Sequence, residues 1–228
     1  WSEFEVYLSS YALKRSREMN KAKAALNGKF GNYVQAYLEL SLDYANAGFF
    51  YDAIEVLTLP GTSLGQEQLN HPLRHYYLGY FLLQAGHKDR ALEHYQLAGG
   101  MPPEYCFPFR LESIEILKTA MNIDPSDARA TYYLGNLLFE KQPEKALAWW
   151  ERSKDLDDTF PTVHRNLGWG YYKIRNDLSK AISSYETAVS LNPDDQRVLY
   201  ELDLVYADSR ISPEKRLTLL QENHVPIA

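Results

Sequence analysis

Cysteine is nearly absent: Cys106 is the only one in 228 residues. An internal disulfide and any cysteine-based metal framework are thereby excluded. Long apolar runs are missing as well, none approaching the roughly 18 residues that span a bilayer, so membrane insertion is not expected. Basic excess is lacking, since 24 Lys and Arg stand against 30 Asp and Glu for a net charge of −6. A broad attraction to nucleic acid is therefore not expected either. No glycine-rich phosphate loop, dinucleotide fingerprint or acid pair suited to general acid–base work occurs. The expectation is a non-enzyme with no catalytic residue, no cofactor and no metal. A lone cysteine is compatible with the cytoplasm, the expected compartment. The chain opens at Trp1 without an initiator Met, which suggests an excerpt or a processed product.

What the chain does have is helical periodicity in units of similar length. The clearest unit runs from His164 to Pro193, with Leu167, Gly168 and Tyr171 on a first segment, Ala181, Tyr185 and Ala188 on a second, and Asn192-Pro193 closing it. The same plan recurs with Leu78, Gly79, Leu82, Ala91, Tyr95 and Ala98, and with Leu134, Gly135, Leu138, Ala146, Trp150 and Ser153. An earlier unit has Tyr37, Leu40, Ser41, Tyr44, Ala53 and Leu57, with Ser41 in the place of the glycine. A last, degraded unit has Leu199, Leu202, Asp203 and Tyr206, with Asp203 there and a looser helix contact expected. Insertions fall in turns: the unit at Gly135 is one residue short at Lys141-Gln142-Pro143, and that at Gly168 one residue long around Asn176-Asp177.

This pattern resembles the tetratricopeptide repeat, W-x2-L-G-x2-Y, A-x3-F, P, a helix–turn–helix unit of about 34 residues. His164 stands for the first aromatic and Tyr185 for the Phe. The resemblance implies an all-α fold, a right-handed superhelix of stacked antiparallel helix pairs. The units read as an N-terminal helical segment over 1–33, a repeat and loop over 34–71, repeats over 72–103, 128–160 and 161–195, an irregular half repeat over 104–127, and a degenerate repeat over 196–228. In the half repeat an irregular lead precedes a helix from about Leu111 to Asn122. The basic residues Lys14, Arg15, Arg17, Lys21, Lys23 and Lys29 read as a solvated face of the first segment.

The small-residue stripe faces the partner helix of each pair, so an offset stripe on each first helix is expected to face a concave groove. That stripe includes Tyr76, Tyr80, Tyr132, Asn136, Arg165, Trp169, Tyr172 and Tyr200. Tyrosine and tryptophan combine large contact area with a polar tip, which suits them to binding. The resemblance implies a groove that binds a peptide or a protein domain. Some members of the family hold a peptide's terminal carboxylates with five polar residues, and the matching places here hold Tyr132, Asn136, Asn166, Arg197 and Glu201. Tyr132 removes one charge and Glu201 reverses another, so an intact clamp is not expected. A modified one using Arg165, Asn166 and Arg197 is.

Three other signals are discounted. Gly61-Thr62-Ser63-Leu64-Gly65 fits the nucleophile elbow G-x-S-x-G, but that chemistry needs a strand-to-helix turn, and here the stretch links helices. His71 with His75, and Glu93 with His94, have spacings open to metal, but His75 and His164 hold the repeat's aromatic position and read as packing residues. Pro103 to Leu117, Leu38 to Leu57 and Leu199-Tyr200-Glu201-Leu202-Asp203 are similar to the repeat region of large bacterial proteins with an N-terminal β-rich domain of unknown function. That similarity implies a longer polypeptide, with another domain of the same chain as a possible partner and, as an alternative function, an accessory part of a carbohydrate-active protein that binds a glycan.

Overall fold

The computed structural model describes residues 33–58 and 70–222, with Lys21, Ala24, Ala25, Gly28 and Phe30 before them. Most of the expected N-terminal segment and the Gly61 to Gly65 motif lie outside the described residues. The described part is all-α, with eleven helices and no strand. They are α1 Val34–Asn46, α2 Phe50–Thr58, α3 Pro72–Gln84, α4 Lys88–Gly99, α5 Glu112–Ile123, α6 Ala128–Leu138, α7 Pro143–Leu156, α8 Pro161–Lys173, α9 Leu178–Leu191, α10 Gln196–Asp208 and α11 Pro213–Glu222. No helix among the described residues is long and apolar enough to cross a membrane.

Local chemistry explains the helix starts. Asp127, Asp177 and Asp195 cap α6, α9 and α10, their carboxylates accepting backbone N–H bonds at 2.8 to 3.3 Å. Pro72, Pro143 and Pro161 open α3, α7 and α8, where the missing N–H costs nothing. The turns inside the hairpins need a left-handed residue. Gly48 (φ 82°), Gly86 (φ 86°) and Arg210 (φ 58°) stand at the same place relative to Ser41, Gly79 and Asp203. Asn176 (φ 50°) takes that conformation one residue later, where the extra residue is absorbed. In the short hairpin Gln142 (φ −139°) replaces it and leads into Pro143.

The chain divides into two compact units, residues 1–106 with Glu112–Ile123, and residues 107–111 with 124–228. In the first, α1 pairs with α2 and α3 with α4, while α3 also packs on α1, α2 and α5. Tyr77 and Ser113 share a buried 2.7 Å hydrogen bond that fixes α5 against α3. In the second, α6 pairs with α7, α8 with α9 and α10 with α11, with α7 against α8 and α9 against α10.

Three hairpins are keyed by a ring on the second helix seated over a glycine on the first. A Cβ on Gly79 would lie 2.8 Å from Tyr95, on Gly135 2.5 Å from Trp150, and on Gly168 2.6 Å from Tyr185. Each ring follows by four residues the alanine of the pattern, Ala91, Ala146 or Ala181, and all three alanines are fully buried. Glycine in a helix costs about 1 kcal/mol relative to alanine. Burying an aromatic ring of about 150–250 Å² stabilises by several times that at ~25 cal/mol per Å², so the ring decides the residue. In α1–α2 the ring is replaced by Leu57, and the larger Ser41 fits, its hydroxyl donating to the Leu38 carbonyl at 2.7 Å.

The last hairpin substitutes charge for shape. Arg216 occupies the place of the alanine and grips Asp203 with two hydrogen bonds of 2.7 and 2.6 Å. The contact expected to be looser is therefore an ion-paired one. A second close approach, unremarked in the sequence pattern, lies between hairpins: a Cβ on Gly170 would meet Leu147 at 2.7 Å.

Candidate functional site

The first helices of the three hairpins in the second unit, α6, α8 and α10, carry eight of the ten residues expected in the groove, with Arg197 at the start of α10. Helical geometry places residues three and four apart on one face. On α8 these are Arg165, Trp169 and Tyr172, each partly exposed; on α10, Arg197, Tyr200 and Leu204, all exposed. Tyr200 is 63% exposed and Leu204 40%.

A polar chain joins the three helices. The indole N–H of Trp150 and the amide of Asn166 both donate to Asn136 Oδ1, each at 2.9 Å. Asn166 Nδ2 also reaches the Tyr132 hydroxyl at 3.3 Å, and its own Oδ1 accepts from Arg165 Nη1 at 3.2 Å. Arg165 then donates Nε to Glu201 Oε2 at 2.8 Å and Nη2 to Glu201 Oε1. Burial opposes the charge on Arg165, and the hydrogen bonds and charge of Glu201 outweigh it, holding the guanidinium pKa above its ordinary value. Beneath them, burial and then the charge of Glu201 push the Tyr185 phenol up. At the other end of α8, the Lys173 ammonium sits 3.9 Å from the Tyr172 ring centroid and 5.5 Å from that of Trp169, while the Tyr172 hydroxyl donates to Asp208.

Two expectations are corrected. Tyr132 does not present its ring to solvent: it is 4% exposed, packed edge-on to Phe160 and Tyr133, and burial pushes its phenol pKa up. Tyr76, in the first unit, is completely buried beside Tyr95. The Tyr76 ring packs within its own hairpin and the Tyr132 ring against the start of the next one. Tyr80 is half-buried against Phe81, its phenol raised by burial and then by Glu115. Arg165, expected to orient a partner's anion, is already paired with Glu201. Arg197 has no side-chain partner among the described residues, and Asn166 lies in the polar chain.

The histidines behave as packing groups with added polarity. His164 is buried, with Nε2 2.7 Å from the Asp158 carbonyl. His75 and His94 approach Nδ1 to Nδ1 at 2.9 Å. Among the described residues no group of three His, Cys, Asp or Glu side chains is placed to hold a metal. The sequence pattern did not single out the Arg165–Glu201 pair, the Lys173 contact with two rings or the Asp208 hydrogen bond. One signal for the first was present, a Glu one repeat and one residue beyond Arg165.

No model of a known protein family matches the chain. Among solved structures, it is similar to the crystal structure of MamA, with 19% identity over 80% of this chain and 91% of that one and a TM-score of 0.47. A second MamA structure, from Desulfovibrio magneticus RS-1, shares 18% identity over 85% and 94%, with a TM-score of 0.45. YrrB, described as a TPR protein with an unusual peptide-binding site, shares 16% over 89% and 90%, with a TM-score of 0.43. On the geometry of its own helical hairpins, three of them closed by a glycine under a ring, the described part of the chain has the tetratricopeptide-repeat fold.

Proposed function

We propose that this protein is a non-catalytic interaction scaffold that captures a peptide or protein domain, from another chain or from its own polypeptide, on the first-helix face of α6, α8 and α10. The observation that carries the reading is a contrast in burial. The chain buries Tyr37, Tyr44, Tyr76, Tyr77, Tyr133 and Tyr185 almost completely, yet leaves Trp169, Tyr172, Tyr200 and Leu204 at least partly exposed on successive first helices. Aromatic area with polar tips suits recognition of an extended backbone and its side chains. Nothing in the geometry favours a glycan over a peptide.

The test is a synthetic peptide array probed with the wild-type protein, followed by titration of the selected peptides. Trp169→Ala and Tyr200→Ala are each expected to weaken binding at least about tenfold, as truncated hot spots do, while Leu217→Ala on α11 leaves it unchanged. Equal binding by all three variants, at matched melting temperature, would refute the placement.

A further inference from the structure

The Arg165–Glu201 pair sits within the proposed binding face and decides what charge that face accepts. Its two side chains come from first helices of adjacent hairpins, α8 and α10. Glu201 is 9% exposed and meets the guanidinium edge with both carboxylate oxygens, while the third guanidinium nitrogen goes to Asn166. All three guanidinium nitrogens thus have oxygen acceptors from the protein itself. We infer that Glu201 is a built-in occupant of the anion position on Arg165 and that, resting on the proposed function, the site selects an extended peptide that is uncharged where it crosses Arg165 and rejects one that places a carboxylate there.

The physical basis is competition. An incoming carboxylate must displace one held in place by the fold, whose effective concentration is at least millimolar by analogy with tethered ligands. It must do so with the displaced Glu201 charge left a few ångströms away, where like charges repel. A free carboxylate at micromolar concentration gains nothing by the exchange. Neutral backbone amides have no such competitor. What remains for them beside the pair is the partly exposed rings of Trp169 and Tyr172. Glu201 is then a specificity-determining residue, and removing its charge converts an anion-rejecting site into an anion-binding one.

The experiment follows the Arg165 Nε–H resonance in ¹⁵N-edited spectra during titration with sodium acetate at constant ionic strength, in the wild type and in Glu201→Gln. Glu201→Met replaces the latter should it fail to fold, with folding checked by circular dichroism. The expected result is no saturable shift in the wild type and a saturable one in the variant. A saturable wild-type response, or a silent Arg165 in a folded variant, overturns the inference. A separate arm titrates a capped peptide from the array and its analogue with aspartate at the position crossing Arg165. The wild type is expected to prefer the neutral form at least about tenfold, and Glu201→Gln to abolish or reverse the preference. If no peptide binds at all, the proposed function falls, while the acetate titration still judges the role of Glu201 by itself.

Discussion

The ring-over-glycine contact makes a quantitative prediction at Gly168. A Cβ there would lie 2.6, 2.7 and 2.8 Å from three atoms of the Tyr185 ring, and that ring is completely buried. A buried ring can yield only by displacing its neighbours, so the added methyl strains the contact between α8 and α9. Overpacking of this kind costs about 1–3 kcal/mol, and the glycine-to-alanine gain in helix propensity returns about 1 kcal/mol. Gly168→Ala is thus expected to be destabilising by up to about 2 kcal/mol. Gly168→Ser is expected to be worse, and Gly168→Leu to unfold the hairpin. The α1–α2 hairpin shows how the same position accepts a larger residue, since Leu57, not a ring, stands four residues after its alanine. Gly168→Ser/Tyr185→Leu should therefore be less destabilised than the sum of its single variants, with a coupling of about 1–2 kcal/mol of the size seen for contacting residues. Urea unfolding followed by far-ultraviolet circular dichroism measures it through the midpoints. Strict additivity would refute the idea that ring and glycine form one contact.

Three further outcomes are expected. Arg210→Gly should stabilise the fold by about 0.5–1 kcal/mol and so raise the urea midpoint, because Arg210 holds the left-handed conformation (φ 58°) that glycine adopts without strain; an unchanged midpoint would contradict this. His94 has its pKa lowered to about 4 by burial and then by Arg74 and Arg90, below the ordinary 6.5. Its neutral form stabilises the fold above pH 6.5, and that stability is lost as pH falls from about 6.5 to about 4. His94→Gln should therefore show a smaller drop in melting temperature over that interval than wild type, and an equal drop would exclude the residue as a cause. Asp203→Ala should accelerate amide hydrogen exchange in α11 more than in α8 or α9, since its two hydrogen bonds to Arg216 tie α11 to α10; uniform acceleration would show that the pair is not a local fastening.

The helical hairpins were legible in the sequence because their contacts are local and repeated. The spacing from Gly79 to Ala91, and its shorter and longer forms at Gly135 and Gly168, follows from the length of one turn between two helices. Side chains facing neighbours were harder to read. Tyr132 and Tyr200 occupy equivalent places on α6 and α10, yet Tyr132 has Phe160 and Tyr133 against it and Tyr200 stands in solvent. Equivalent positions thus have different fates according to what the next hairpin supplies. Glu201 was read as a charge that repels an anion, and its capture of Arg165 depends on the register between α8 and α10, which no single repeat encodes. Asp203 looked like a defect in the pattern because its compensating Arg216 lies on the following helix.

Recognition is proposed to take place on the first helices of the second unit. Amide hydrogen exchange of the wild-type protein, free and saturated with a peptide chosen from the array, tests it most directly. Slowed exchange confined to α6, α8 and α10, with α7, α9 and α11 unchanged, is the predicted result. Protection on the second helices, or in the first unit alone, would contradict it.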